Sequence, residues 1–174
     1  MSAGLLPDEL NALAARVVEE NRAAGRMIAT AESCTGGLVA GAITEIAGSS
    51  AVLDRGFVTY SNEAKMEALD VASDIIETFG AVSIACVWAM AQGALKRSNA
   101  DVAVAISGVA GPGGGTDLKP VGTVVFARAY RGQSCEEEGE LKFFEHGDDP
   151  VAARAEIRRQ ATICALELLL PDGD

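Results

Sequence analysis

The chain has 174 residues, 49% apolar and 22% charged, a composition that excludes both a disordered chain and a disulfide-stapled miniprotein. This length predicts one domain over residues 1–174. Lys and Arg number 14 against 25 Asp and Glu, a formal charge of −11, and only 5% of residues are aromatic. Nucleic acid is disfavoured as a partner, because phosphate contacts need basic residues and base stacking needs aromatic ones. A small-molecule substrate is favoured.

Three further features concern location and metal binding. No apolar run approaches the length of a membrane span, and the N-terminus lacks a basic segment followed by an apolar one, so we expect a cytoplasmic protein with no membrane attachment. The four cysteines lie far apart and His146 is the only histidine. Because no CxxC or HxxxH spacing occurs, no metal site is predicted. A Ser-His-Asp or Cys-His mechanism would have to use His146.

Helical and strand-like patterns alternate along the chain, and each run is bounded by glycine, proline or polar residues. In chain order the predicted elements are a helix from Pro7 to Gly25, a strand at 27–31, a helix at 38–46, a strand at 52–60 with a bulge at Gly56, a helix from about Glu63 capped by Ser61 or Asn62, helices at 74–79 and 83–97, strands at 101–107, 121–130 and 133–144, and a helix at 151–170.

Helices between strands predict a three-layer α/β domain with a mixed, mainly parallel sheet flanked by helices. The segment 133–144 is expected to pair antiparallel with 121–130 across the Arg131–Gly132 turn. Its acidic run at 136–138 predicts an exposed or edge stretch.

The first candidate site is AESCTGG at 31–37, where a strand leads into a helix. A hydroxyl at Ser33 would point into the crevice beyond the carboxyl end of the strand, where open α/β sheets bind ligands. The amides of Thr35, Gly36 and Gly37 would be unpaired donors at the helix start, available to an oxyanion or a phosphate. The alternative is a capped helix, in which Ser33 or Thr35 is the cap and the glycines only permit a tight turn.

The second candidate site is TYSNEAK at 59–65, again at the end of a strand and the start of a helix. Lys65 lies one turn into this helix and can face back toward Tyr60. A partly desolvated lysine can have its pKa lowered enough to act as a base, and Ser with Lys is a known pair of nucleophile and base. The alternative is a solvated lysine on the helix surface.

The third candidate site is the loop 108–115, which has five glycines in eight residues after an apolar strand. Glycines let the backbone approach a ligand, and successive amides can form an anion-binding nest. The loop matches neither GxxxxGK[ST] nor GxGxxG, which disfavours nucleotide hydrolysis and dinucleotide binding by those routes. The alternative is a flexible connection.

Two reactive side chains remain. Cys34 competes with Ser33 as nucleophile, because a thiol at a helix N-terminus has a lowered pKa. Cytosolic cysteines are, however, more often small buried hydrophobic residues. His146 is interpreted as a surface residue in a loop near Gly147.

Five segments of the chain resemble the motifs of a known family. They are AESCTGG at 31–37, AGSS at 47–50, GFVTYSNEAK at 56–65, ISGVAGP at 106–112 and KPVGTV at 119–124. In this order they resemble the consecutive motifs of the CinA C-terminal domain family, which includes nicotinamide-nucleotide amidases. The resemblance extends from about Leu10 to Leu170. Five ordered motifs are far more specific than any one of them.

The resemblance implies hydrolysis of the carboxamide of nicotinamide mononucleotide to nicotinate mononucleotide and ammonia, in pyridine-nucleotide recycling. It implies a serine amidohydrolase with lysine assistance and no required metal. No cofactor is expected, and the chain is expected to form a homo-oligomer. Ser33 and Ser50 are the candidate nucleophiles, with Ser33 favoured and Ser50 expected at a turn near the site, while Lys65 is the base with Tyr60 beside it. The candidate substrate-binding residues are Thr35, Gly36, Gly37, Asn62, Gly108, Gly111 and Arg154.

Arg154 enters through a departure from the family pattern. The family commonly has Gly-Asp-Arg before the last helix, whereas this chain has Gly147-Asp148-Asp149 and reaches an arginine only at Arg154. An insertion of about five residues would restore the register and make Arg154 the candidate phosphate partner, since a guanidinium binds phosphate bidentately.

Two hypotheses from other classes stay open beside the amidase. One is a binding module whose glycine loops retain a nucleotide or phosphate without turnover. The other is an interaction protein whose alanine-rich helices build an oligomer. Release of ammonia from nicotinamide mononucleotide separates the amidase from both.

Overall fold

The computed structural model describes residues 4–133 and 139–172, which form six α-helices, five strands and one 3₁₀ turn. In chain order they are α1 (Asp8–Ala23), β1 (Ile28–Glu32), α2 (Leu38–Thr44), the 3₁₀ turn (Ser49–Ala51), β2 (Leu53–Val58), α3 (Asn62–Leu69), α4 (Ser73–Phe79), α5 (Ile84–Lys96), β3 (Val102–Gly108), β4 (Thr123–Tyr130), β5 (Gly139–Phe143) and α6 (Pro150–Leu168). Every predicted helix and strand is present with shifted ends. The 3₁₀ turn was not predicted, because Gly48-Ser49-Ser50 indicates only a break in the pattern.

The strands form one sheet in the order β2-β1-β3-β4-β5. β1 pairs parallel with β2 and β3, whereas β4 pairs antiparallel with β3 and β5. Four of the five described strands therefore run in one direction and β4 runs opposite, which confirms the mixed, mainly parallel sheet. As a consequence, the carboxyl ends of β1, β2 and β3 meet at the same end of the sheet, where ligands bind in open α/β folds.

Helices cover both faces of this sheet and confirm the three-layer architecture. On one face, α1, α2 and α6 pack against Val102, Val104 and Ile106 of β3. On the other face, α5 packs against Ala103 and Ala105 of the same strand. Successive side chains of a strand point to opposite faces, so a strand buried on both sides is apolar throughout, as predicted for this central segment. Within the described ranges, no helix combines the length and apolarity needed to cross a membrane.

The bulge predicted at Gly56 is wrong. The register between β1 and β2 shifts at Asp54, and Gly56 stays in register opposite Thr30. Gly56 is instead a point of close packing, because a Cβ there would lie 2.9 Å from the Ala40 Cβ of α2 and 3.0 Å from Thr30 Oγ1. The absent side chain lets α2 lie close to the sheet.

β5 is an edge strand, as predicted, and its pairing with β4 is antiparallel. The acidic run 136–138, which also predicts an exposed edge, lies outside the described residues.

Candidate active site

The connection between β1 and α2 is held by Glu32, the last residue of β1. Its buried carboxylate accepts hydrogen bonds from the amides of Gly37, Val39 and Ala40 and from Thr35 Oγ1, at 2.7 to 3.2 Å. These amides have no partner inside the helix, and the helix dipole favours a negative charge at this end. Glu32 therefore occupies the position expected for a bound oxyanion or phosphate.

The amides of Gly36 and Gly37 are consequently not open to a ligand, contrary to expectation. Gly37 donates to Glu32, and Gly36 donates to the carbonyl of Ser33 at 3.0 Å. Both glycines have positive φ, 62° and 98°, so they form a turn that other residues rarely adopt. The Thr35 amide forms no hydrogen bond within the described part of the chain, which leaves it as a free backbone donor in this loop.

Lys65 meets Ser33 in the interior of the protein. The Lys65 side chain is almost fully buried, with 1% exposure, and its Nζ lies 3.2 Å from Ser33 Oγ. The same Nζ lies 2.8 Å from the Thr59 carbonyl oxygen and 3.3 Å from that of Tyr60, with the Ser61 carbonyl at 3.5 Å. The surface interpretation of Lys65 is therefore wrong.

Burial lowers the pKa of Lys65 from its ordinary value of 10.5, because removal of water penalises the ammonium form. The thiols of Cys86 and Cys34 act in the opposite direction with smaller effect. A neutral amine has two protons and one lone pair, so it can donate to backbone carbonyls and also accept the hydroxyl proton of Ser33. The distance to Ser33 is within the range that a general base requires.

Local structure turns Lys65 toward Ser33. The Ser61 hydroxyl accepts from the Ala64 amide at 3.0 Å, so Ser61 is the N-cap of α3, which decides between the two predicted caps. Just before it, the Thr59 amide donates to the carbonyl of Glu32 at 2.8 Å and joins the ends of β1 and β2. A lysine in the first turn of α3 therefore lies over the end of β1, where Ser33 follows.

Cys34 does not have the environment of a reactive thiol. It is buried, and burial raises its pKa to about 12, with the negative charge of Glu32 acting in the same direction. The lowered pKa expected at a helix N-terminus is wrong here, because the thiol is buried and because Glu32 already occupies the positive end of α2. Cys34 belongs to the apolar core below that helix, with Val39 and Ile43.

A cavity of about 220 Å³ lies beyond the carboxyl ends of β1 and β3, and Ser33 and Lys65 both line it. Most of the residues predicted for the site share it. The full lining is Ser33, Cys34, Tyr60, Asn62, Lys65, Ala81, Val82, Ser107, Gly108, Ala110 and Arg154.

Arg154 reaches this cavity from α6. Its guanidinium donates to the hydroxyl of Tyr60 at 3.2 Å and to the carbonyl of Gly111. The N-cap Asp149, which accepts from the amides of Val151 and Ala152, fixes the start of the helix. Arg154 thus connects the second and third candidate segments, and no described carboxylate forms an ion pair with it.

Ser50 lies elsewhere, and the expectation that it sits near the site is wrong for a single chain. It is an exposed residue of the 3₁₀ turn before β2, and the neighbouring Val52 carbonyl accepts from the Ile28 amide at the start of β1. Ser33 follows the other end of β1. The five-residue strand separates the two serines by roughly 17 Å at about 3.3 Å per residue.

Two residues of the site were not assigned from the sequence. Ser107, at 2% exposure, lines the cavity and its hydroxyl forms no hydrogen bond with any described residue. The sequence did contain a signal for Ser107, because a polar residue at the end of an otherwise apolar strand is a candidate site residue. Arg158 donates to the carbonyls of Cys34 and Thr35 at 3.1 and 3.2 Å and holds the loop from α6. No sequence signal distinguishes it from Arg159.

His146 is exposed, as predicted, and lies outside this cavity. Its ring nitrogens face the carbonyls of Gly147 and Val121 at 3.1 and 3.2 Å. The single histidine therefore does not contact Ser33. Among the described residues, no group of three or more His, Cys, Asp or Glu side chains could hold a metal ion.

The family model described as the CinA C-terminal domain matches residues 10–171. The chain belongs to the CinA C-terminal domain family. This CinA domain is 50% identical over 162 residues to the nicotinamide-nucleotide amidohydrolase PncC of Escherichia coli (strain K12), which covers 92% of this chain and 93% of that protein. It is 61% identical over 104 residues to a CinA-like protein of Akkermansia muciniphila, of whose length it spans only 25%.

Solved structures of the family share the fold. The CinA domain resembles the competence/damage inducible protein CihA from Agrobacterium tumefaciens with a TM-score of 0.85 and 49% identity, over 97% of both chains. A CinA superfamily protein from Escherichia coli gives a TM-score of 0.83 at 34% identity, over 97% of this chain and 94% of that one.

Proposed function

We propose that this chain is an amidase that hydrolyses the carboxamide of nicotinamide mononucleotide, with Ser33 as nucleophile and Lys65 as base. The observation that carries the proposal is the 3.2 Å contact between Lys65 Nζ and Ser33 Oγ, two buried residues that line the same cavity. The 50% identity to a nicotinamide-nucleotide amidohydrolase, over nearly the whole of both chains, supports the choice of substrate. The reaction yields nicotinate mononucleotide and ammonia, which places it in pyridine-nucleotide recycling.

The first half of the reaction forms an ester. Ser33 Oγ attacks the carboxamide carbon while the neutral amine of Lys65 takes the hydroxyl proton. The carbonyl oxygen becomes an oxyanion, which a backbone N–H of the loop that follows Ser33 would stabilise. When the C–N bond breaks, the Lys65 ammonium returns its proton to the departing nitrogen, which leaves as ammonia.

The second half restores the enzyme. A water molecule loses a proton to Lys65 and attacks the ester carbon. The bond to Ser33 Oγ then breaks, and Lys65 returns the proton to the serine. The products are a carboxylic acid and an unchanged Ser33, so neither a metal nor an external cofactor takes part in the scheme.

Lys65 suits this role because its surroundings hold it in place. The carbonyls of Thr59 and Tyr60 accept its two remaining protons and leave the lone pair for Ser33. The serine is fixed from the other side, since its amide donates to the Ile106 carbonyl at 2.9 Å as a continuation of the β1–β3 pairing. Both reacting groups therefore lie on backbone that is already ordered, which reduces the cost of orienting them.

The substrate contacts follow from the cavity. Its size suits a single aromatic ring with its carboxamide, so the ribose and phosphate would extend toward Arg154 and the 108–115 loop. Arg154 donates to the Tyr60 hydroxyl and to the Gly111 carbonyl, and neither group neutralises its charge. The positive charge of Arg154 therefore remains for the phosphate. The free hydroxyl of Ser107 and the side chain of Asn62 supply polar groups for the carboxamide.

The test is the direct assay. Purified protein is incubated with nicotinamide mononucleotide in the presence of a chelator, and ammonia and nicotinate mononucleotide are quantified together by an enzymatic ammonia assay and liquid chromatography. We expect equimolar products, and we expect none from a Ser33→Ala variant. Nicotinamide and its riboside, which lack the phosphate, are the matched substrates and should react more slowly. Tight binding of the nucleotide without ammonia release would instead indicate the binding module.

A further inference from the structure

The outer edge of β5 is unpaired by any described residue, because β5 ends the sheet. The Phe144 amide donates to the Gly122 carbonyl of the neighbouring segment at 2.9 Å, so even-numbered positions bond toward β4. The odd-numbered residues Gly139, Leu141 and Phe143 therefore direct their N–H and C=O groups outward. An open strand edge of this kind is a template for another strand.

This edge is also apolar on one face. Leu141 and Phe143 are each 54% exposed and lie on the side of the sheet that α5 covers. Next to them, Ile84 of α5 is 41% exposed and packs directly on Gly139, where a Cβ would collide with it. Native proteins normally protect edge strands with charge, proline or a covering element, and on this face β5 carries no charged side chain, because Glu140 and Lys142 lie on the other face.

We propose that β5 pairs antiparallel with β5 of a second copy of this chain, about a two-fold axis at Leu141. In this register Leu141 faces its own copy, Gly139 faces Phe143, and Glu140 faces Lys142. The sequence GELKF is thus self-complementary in both charge and size. All outward N–H and C=O groups of the odd-numbered residues find partners, and the sheet continues through the dimer.

The charges favour this register over the two neighbouring ones. A two-fold axis at Glu140 or at Lys142 would place two like charges directly opposite each other, which is destabilising. With the axis at Leu141, Glu140 and Lys142 form non-hydrogen-bonded pairs, in which opposite side chains approach most closely. Within one chain the two already lie 3.2 Å apart, and their side chains are 41% and 40% exposed, so they are available to a second copy.

The apolar face benefits from the same register. Phe143 of the second copy would lie over Gly139, the one position of β5 without a side chain, and would contact the exposed part of Ile84. The groove formed by Ile75, Phe79, Ile84 and Trp88 continues from this point along α4 and α5. Phe143 of each copy thus covers Ile84 of the other, and the two contacts are equivalent, as an isologous interface requires.

The test uses charge reversal and mixing. Sedimentation velocity at several concentrations should show a dimer for the wild type. E140K carries two positive charges on β5 and K142E carries two negative ones, so each should weaken the dimer by at least about tenfold in dissociation constant. An equimolar mixture of the two variants should restore it, because every cross-strand pair is again of unlike charge, although neither chain regains its internal ion pair. Arg16→Glu, an exposed charge on α1, is the matched control and should associate like the wild type.

Any of three results would overturn the proposal. The wild type could remain monomeric, E140K and K142E could each dimerise as well as the wild type, or the mixture of the two variants could fail to dimerise. Circular dichroism shows whether each variant is folded. If a reversal variant does not fold, oxidative cross-linking decides instead, with Cys135→Ser as the background. Leu141→Cys should form a disulfide across the axis, since opposite Cα atoms of a hydrogen-bonded pair lie about 5.5 Å apart, within disulfide range. Phe143→Cys should not, because Gly139 lies opposite it. A Leu141→Cys protein that does not cross-link would equally overturn the proposal.

Discussion

Ser33 and Ser50 each belong to a glycine-containing motif of the family, but they occupy opposite ends of the sheet. At the carboxyl end, Ser33 is buried at 8% exposure and its hydroxyl meets the nearly inaccessible amine of Lys65. At the amino end, Ser50 is exposed on a short 3₁₀ turn. The comparison shows that a serine in a motif is a candidate nucleophile only where the strand direction places it next to a base. Here the base is Lys65, whose pKa is lowered by burial.

The largest expected effect separates these two serines. Ser33→Ala should reduce kcat for nicotinamide mononucleotide by at least about a thousandfold, because it removes the attacking oxygen. Ser50→Ala is the matched control and should change kcat by less than about threefold, since an exposed residue at the other end of the sheet does not contact the substrate. Steady-state kinetics with circular dichroism on both variants makes the measurement. A large loss of kcat in Ser50→Ala, together with a normal kcat in Ser33→Ala, would exchange the roles of the two serines. It would also show that a second chain completes the site.

Removal of the base comes next. Lys65→Met should fold and lose at least roughly a hundredfold in kcat, in the range that loss of a general base usually costs. Lys65→Arg should be nearly as poor, because a guanidinium keeps its charge but cannot give up a proton. Single-turnover kinetics of both variants are the measurement. Near-normal kcat in the arginine variant would mean that position 65 supplies only positive charge, and the Ser-Lys mechanism would be abandoned.

The pH profile tests the same lysine without a substitution. Because burial lowers the pKa of Lys65 below 10.5, the neutral amine is populated at a lower pH than for an exposed lysine. The kcat should therefore rise by about tenfold per pH unit below this lowered pKa and level off above it. A profile that rises only near the ordinary lysine value, or that falls with pH, would contradict the assignment of the base.

A smaller effect is expected at Ser107, the unpartnered hydroxyl of the cavity. Ser107→Ala should lower kcat/KM by about tenfold, the effect of one lost hydrogen bond to a buried polar group. Ser107→Thr keeps the hydroxyl and should retain more activity than the alanine variant. Equal losses in both variants would indicate that the position requires only a small side chain.

The smallest effect is expected for Cys34. Cys34→Ala should keep kcat within about twofold of wild type, because burial raises the pKa of this thiol to about 12 and leaves it protonated at neutral pH. Its cost should appear as lower thermal stability, since the side chain belongs to the core. Alkylation by iodoacetamide should be slow for the same reason. Rapid alkylation of Cys34 with loss of activity would identify the thiol as the nucleophile.

Much of the fold could be predicted from local patterns. Apolar periodicity, strand-forming residue types and helix caps together predicted every described helix and strand, because burial leaves its period in the sequence and element ends need particular residues. The errors occurred where distant residues decide. Gly56 was predicted as a bulge, but its small size serves the packing of α2, and the true irregularity is at Asp54. The low thiol pKa expected for Cys34 is wrong because burial raises the pKa, and the charge of Glu32 at the end of the helix dipole acts in the same direction.

The sequence by itself determined the alternation of helices and strands, the family, and the residue types that can carry Ser-Lys chemistry. These follow from composition, period and ordered motifs, which are local properties. Only the tertiary structure decided that Lys65 reaches Ser33 and that Ser50 does not, that Arg154 and Ser107 join the cavity, and that Gly36 and Gly37 lack free amides. The physical reason is that strand direction and sheet order bring together groups far apart in the chain, while burial, which lowers the pKa of Lys65 and raises that of Cys34, exists only once those elements are packed.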